Sequence, residues 1–288
     1  DPLQQSRAGS RWSAHENHPP PVFEFDFIPT HVFELRKKML RSIRTGRIDA
    51  IVDEHALDQA FQSFVATIFQ DRLKQSGRSV FCEKTPANAL AFADLVKVFP
   101  DARHIMMVRD PRDVVNSMKS VRDKFIAKGE RPPRLVRSVA ASVQEINRYY
   151  QAGLSAAEQS EKVLLVYYED LVSNPAQEIR RICDHTGLTY QPEMQNIEQQ
   201  TFASSSVSDE NWYSQDELRK PIQSSGVVSK TFSLSPTAVA LVEHFTLEMP
   251  ALARYGLHPR NPTLKETIWW YASLAQKAGL FLPRRRPV

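Results

Sequence analysis

Several short stretches hold the residue types from which an anion-handling site could be built. The first is "HIMMVRDPRDVVNSM", His104 to Met118, where an apolar run breaks into Arg-Asp-Pro-Arg-Asp and then turns apolar again. Ile105 to Val108 suit a short strand buried on both faces, which leaves Arg109 at its carboxyl end. Asp110 can accept hydrogen bonds from the free amides of a following helix, Pro111 suits the first helical position, and Asp113 adds favourable charge to the first turn. Ser117 falls one helical turn beyond Asp113. A cation at a strand tip and a hydroxyl on the next helix could thus converge on one anion. An ordinary strand-to-helix junction with a solvated salt bridge is the plainer alternative.

The second stretch is "SRAGSR", Ser6 to Arg11. A loop of small residues can turn backbone N–H groups toward a phosphate, with Arg7 and Arg11 adding charge around Ala8, Gly9 and Ser10. The Walker lysine and its spacing are missing, which disfavours a nucleoside triphosphate loop. Next, "SAHENHPPP" clusters His15, Glu16 and His18. Two histidines invite a zinc reading, but no third ligand is placed by any spacing, so no metal is expected. Glu16 or a histidine could instead take a proton from an alcohol or phenol. "FCEKTPAN" sets Lys84 at a strand end, where it could stabilise charge developing on a transferred group. "LLVYYEDLVSNP" sets Tyr168 at another strand end, where it could stack on a nucleotide or serve in packing.

Positioning these residues takes a particular kind of scaffold. Helical periodicity runs through roughly 30–45, 53–75, 87–98, 111–127, 134–158, 175–186 and 236–254, and strand candidates are 79–84, 104–108 and 162–168. Each strand candidate precedes a helix, so the fold expected is α/β, a parallel sheet flanked by helices with functional residues at the strand carboxyl ends. At least one further strand should precede these three. Chain length and 42% hydrophobic content allow a large core.

A net charge of +4 suits a polyanionic ligand. It is too mild, without a basic stripe, for nucleic acid, and no nucleic-acid partner is expected. Cys82 and Cys183 form no CxxC motif or disulfide framework, which favours a reducing compartment. With no apolar run of membrane-spanning length and no signal-peptide pattern, the expected location is cytoplasmic.

The order of these stretches is more specific than any one of them. "SRAGSR", "EKTP", "FPDARHIMMVRDPRDVVNSM" and "VYYEDLVSNPAQEIRRICDHTGL" resemble, in sequence order, the sulfotransferases that use 3′-phosphoadenosine 5′-phosphosulfate (PAPS), in particular bacterial members similar to tyrosylprotein sulfotransferases. "KPIQSSGVVSKTFSLSP" and "MPALARYGLHPRNP" extend the likeness over most of residues 6–262, which sets a sulfotransferase domain at 1–262 and a helical tail at 263–288.

The resemblance implies a P-loop-like sheet and roles position by position. Arg109 and Ser117 would hold the 3′-phosphate. Arg7, Ala8, Gly9, Ser10 and Arg11 would hold the 5′-phosphosulfate, with Arg7 also catalytic. Lys84 would stabilise the transferring sulfuryl group, and Glu16 would act as base, a role His15 could also fill. Tyr168, Ser229 and Lys230 would contact the nucleotide. The reaction implied is in-line sulfuryl transfer from PAPS, leaving 3′,5′-diphosphoadenosine, to a hydroxyl on a small-molecule, lipid or peptide acceptor. A P-loop kinase-like phosphotransferase and a non-catalytic nucleotide-binding relative are the alternatives.

Two features fall outside this pattern. A helix should follow a phosphate-binding loop, yet "WSAHENHPPP" cannot be helical through three prolines, as though a segment had been lost between Arg11 and Trp12. In the tail, Ile268, Trp269, Tyr271 and Leu274 precede Arg284-Arg285-Arg286. Such a helix could rest peripherally on an anionic membrane, or pack on its own domain or on a partner subunit in a homo-oligomer.

Overall fold

A computed structural model of the chain describes residues 32–48, 51–195, 233–257 and 261–277. The chain divides into two compact units, residues 1–88 with 199–206, and residues 89–198 with 207–288.

The described part of the first unit is a helix pair, α1 (Glu34–Arg44) and α2 (Glu54–Ser76). Asp53 caps α2 by accepting from the Ala56 amide at 2.7 Å, and Gly77 ends it at φ +66°, a left-handed conformation open to glycine. Leu57, Phe61 and Val65, spaced by four, form its buried stripe. Arg36, only 1% exposed, reaches Asp58 at 2.7 Å, a buried ion pair whose disruption should cost about 3–5 kcal/mol.

The segment 79–84, expected as a strand, carries only an isolated bridge residue at Glu83. Val80 is 39% exposed, Cys82 is exposed, and Phe81 is committed to stacking on Phe69 of α2 at 3.9 Å. A strand inside a parallel sheet would need both of its faces covered.

The second unit opens with a 3₁₀ turn, Pro86–Ala91, running from the first unit into α3 (Phe92–Val98), where periodicity predicted one continuous helix. Then follow β1 (His104–Val108), α4 (Pro111–Ala127), α5 (Val139–Gln159), β2 (Val163–Tyr167), α6 (Tyr168–Ser173) and α7 (Pro175–Thr186). Further on come α8 (Pro236–Phe245), a 3₁₀ turn at Pro250–Tyr255, and α9 (Leu264–Lys277). The fold class is α/β. β1 and β2 run parallel, with His104 opposite Val163 and Val108 opposite Tyr167.

β1 is buried on alternate residues instead of on both faces. Met106 and Val108 face inward, while Ile105 and Met107 are 37% and 42% exposed. The covered face meets α5 at Gly153, where an added Cβ would come within 2.6 Å of the Met106 sulfur, so the small residue lets helix and strand approach closely. The tail helix α9 packs on α5 and α8 through Trp270, which stacks on Phe245 at 3.9 Å.

Candidate functional site

The turn from β1 to α4 forms for the local reasons its residues suggest. Asp110 caps α4, accepting from the Arg112 amide at 2.8 Å, and Pro111 occupies the first turn. What fixes the turn in space comes from farther away. Tyr150 of α5 accepts from the Arg109 amide at 3.0 Å and donates to the Arg109 carbonyl at 2.6 Å, so one buried hydroxyl satisfies both backbone groups at the strand tip. Burial pushes the Tyr150 phenol pKa well up, which keeps it a donor. Glu169 accepts from the Asp110 amide at 3.0 Å and from the Tyr255 hydroxyl at 2.9 Å. Arg112 bridges Asp110 at 2.6 Å, Glu243 at 2.8 Å and the Tyr255 carbonyl at 2.8 Å.

These contacts occupy most of the acids around the turn. Asp110, Glu169 and Glu243 hold backbone amides, Tyr255 or Arg112, and Asp170 pairs with Arg254 through two bonds of 2.6 and 2.7 Å. Arg109 is treated differently. Its guanidinium lies 4.4 Å over the Tyr168 ring and meets Asp113 only at 3.8 Å. Its Nε is buried with no hydrogen-bond partner among the described residues. Asp113 has its pKa raised, first by desolvation and then by Asp110 and Glu169 against the opposing pull of Arg109. Partial burial thus works against its charge. Arg109 is a planar, fork-shaped donor on an aromatic platform with a loose counter-ion, a geometry suited to an incoming phosphate or sulfate.

Arg109 and Tyr168, both singled out from the sequence, are therefore brought together, with Tyr168 under the guanidinium. Ser117 is exposed on α4, one turn past Asp113. Lys84 lies in the first unit, part exposed and part desolvated, and the desolvation lowers its pKa. Arg7, Ala8, Gly9, Ser10, Arg11, His15, Glu16, Ser229, Lys230 and the Arg11–Trp12 junction lie outside the described residues.

Sequence reasoning missed Tyr150, Arg112, Glu243 and Tyr255. Tyr150 reads as one more apolar position of a helix, and Arg112 bonds Glu243 across a separation of 131 residues. Asn116 was missed too; its Oδ1 accepts from the Ser233 amide and hydroxyl at 3.0 and 2.7 Å, anchoring the start of the segment that leads into α8.

The sequence profile of the Sulfotransferase family matches residues 13–192, and the chain belongs to that family. The matched span contains β1, α4, α5 and β2. It begins after the Ser6–Arg11 loop. The chain is 28% identical over 217 residues to protein-tyrosine sulfotransferase 1 of Danio rerio, covering 74% of this chain and 58% of that protein. It is 25% identical over 224 residues to protein-tyrosine sulfotransferase A of Caenorhabditis elegans, covering 73% of this chain and 53% of that one. The chain thus spans somewhat over half the length of these relatives. The sulfotransferase domain of a Synechococcus olefin synthase superposes with a TM-score of 0.39 at 16% identity, covering 84% of this chain and 100% of that domain.

Proposed function

We propose that this member of the sulfotransferase family uses PAPS and transfers its sulfuryl group to a hydroxyl of a small-molecule, lipid or peptide acceptor. The observation that carries the reading is Arg109. Its buried Nε lacks a partner among the described residues, its guanidinium rests on Tyr168, and it sits at the strand tip before a capped helix bearing Ser117. That arrangement fits a terminal phosphate. Arg109 supplies the charge, Ser117 a hydroxyl donor, and Tyr168 keeps the guanidinium plane in register.

PAPS, when bound, supplies an activated sulfuryl group on a phosphate leaving group. The chain's task is to align the acceptor, remove its proton, and place cations where charge develops. In this reading Lys84, its pKa lowered by desolvation, stabilises charge on the transferring group, since a partly desolvated cation acts more strongly than a hydrated one. Arg7, with Ala8, Gly9, Ser10 and Arg11, holds the 5′-phosphosulfate, Ser229 and Lys230 contact the nucleotide, and Glu16, or His15 beside it, takes the acceptor proton. The names of the relatives point to a phenolic hydroxyl as one acceptor class.

Calorimetric titration tests the assignment. The protein should bind 3′,5′-diphosphoadenosine far more tightly than 5′-AMP or ATP, because Arg109 and Ser117 read the 3′-phosphate. Equal affinity with and without that phosphate would sink the proposal, and Mg²⁺-dependent turnover of ATP would redirect it to phosphoryl transfer.

A further inference from the structure

The tail helix α9 presents two opposed faces. Trp270 and Glu266, 5% and 8% exposed, point inward. Leu264, Ile268 and Tyr271 are 76%, 60% and 62% exposed. Their spacing of four and then three residues puts all three on a single narrow stripe of the helix. Trp269 turns aside and walls a cavity of about 620 Å³ that is also lined by Lys119, Arg122, Lys265, Ser235 and Thr263. Lys119 and Arg122 share one counter-ion, the half-exposed Asp123, at 2.9 and 2.8 Å. Glu266, the acid at the cavity, is occupied at the start of α9, where its carboxylate accepts from the Thr263 amide at 2.8 Å. Cations therefore outnumber acids around this cavity, and an exposed apolar stripe runs along the helix that walls it.

We propose that α9 and this cavity form a docking surface for an anionic phospholipid membrane, with Leu264, Ile268 and Tyr271 entering the interface and Lys119, Arg122 and Lys265 receiving a headgroup phosphate. Three large side chains on one helix fall far short of the roughly 20–30 residues a side that a stable protein–protein interface uses. They suffice, with flanking cations, for interfacial binding, where apolar insertion and electrostatic attraction add. The sequence repeats the same chemistry just beyond, in Phe281-Leu282-Pro283-Arg284-Arg285-Arg286. The surface lies on the face of α4 turned away from Ser117, because Lys119 and Arg122 are about 200° and 140° round the helix from it. It therefore stands or falls apart from the nucleotide reading.

Sedimentation with phosphatidylcholine vesicles, with and without phosphatidylglycerol, tests this on the whole chain. Binding should require phosphatidylglycerol and weaken with added salt. Leu264→Ser with Ile268→Ser and Tyr271→Ser should weaken it roughly tenfold or more. Lys119→Gln and Arg122→Gln should each weaken it about fivefold. Diphosphoadenosine affinity and circular dichroism should stay unchanged in all of these variants. Equal partition to neutral vesicles would overturn the proposal. So would unaltered binding by the triple variant, or saturable binding of soluble glycerol phosphate to the cavity without vesicle association. A shift from dimer to monomer on removing the stripe would also overturn it and assign the surface to a second copy of the chain.

Discussion

The two ends of the β1–β2 pair are built from the same strands and opposite chemistry. At the amino end, His104 is 9% exposed, tilted against Phe92 at 5.5 Å, and its Nε2 has no partner among the described residues. His185 donates there from Nε2 to the carbonyls of His104 and Lys162, both at 3.2 Å. Desolvation, then His185 and Arg103, lowers the His104 pKa to about 4, so near neutral pH the ring is uncharged. The carboxyl end instead ties down Asp110, Glu169 and Glu243, leaving Arg109 with Asp113 as its loose counter-ion among the described residues. At the amino end the buried imidazole is neutral and packed on an aromatic ring. The end that retains a loosely compensated cation is the one on which the proposed nucleotide reading rests.

The comparison predicts that substitutions at the two ends fail in different ways. The largest effect should come from Arg109→Gln, which removes the cation while leaving the turn's backbone bonds in place. Nucleotide binding should weaken by roughly 2–5 kcal/mol, about 30-fold or more, and the loss should appear in KM more than in kcat because the 3′-phosphate keeps its charge through the reaction. Thermal stability should hardly move, since the side chain is about a third exposed and loosely paired. Wild-type turnover and diphosphoadenosine affinity in this variant would remove Arg109 from the site.

The amino end should show a pH effect on stability and none on nucleotide binding near neutral pH. The His104 pKa is lower folded than unfolded, so the unfolded chain takes up the proton first. Full stability is present above the ordinary value of 6.5 and is lost as pH falls from there toward 4. The size of the loss is roughly 3 kcal/mol. Denaturant titrations across that window should lose much of this slope in His104→Gln. An unchanged slope would assign the acid sensitivity to other groups.

Much of this scaffold was legible where the determinants were local. Asp110-Pro111 announced the start of α4, helical periodicity over 175–186 matched α7, and β1 ran over the expected residues, His104–Val108. Legibility failed where long-range competition decided. "SVFCEK" has strand composition, but its aromatic is stacked on α2. Tyr168 was read as a nucleotide contact or a packing residue, and its place beneath Arg109 depends on how β2 meets β1, which no local pattern shows. Nothing near Tyr150 in the sequence could reveal a partner 41 residues away. Of the candidate site, the strand-tip cation and its helix could be read directly, whereas the groups that hold them come from α5, α6, α8 and the turn after α8.

The smallest effect expected is also the most discriminating. Tyr150→Phe keeps the ring in its place and deletes only the hydroxyl, so the Arg109 amide and carbonyl lose their shared partner. Leaving such buried groups unsatisfied should cost about 1–3 kcal/mol of stability. A purely structural role would stop there. If the hydroxyl also sets the direction of the Arg109 side chain, diphosphoadenosine affinity should fall as well, by roughly three- to tenfold, measured well below the melting temperature. The control belongs at the other end of the same sheet. Val163→Ala, at a buried β2 position opposite His104, should cost a comparable amount, about 0.5–3 kcal/mol, without moving the strand tip. Equal stability loss with reduced affinity only in Tyr150→Phe would make Tyr150 a positioning residue for the anion site. Parallel loss of affinity in both variants would instead mean that the two ends of the sheet are mechanically coupled, and the contrast drawn between them would not hold.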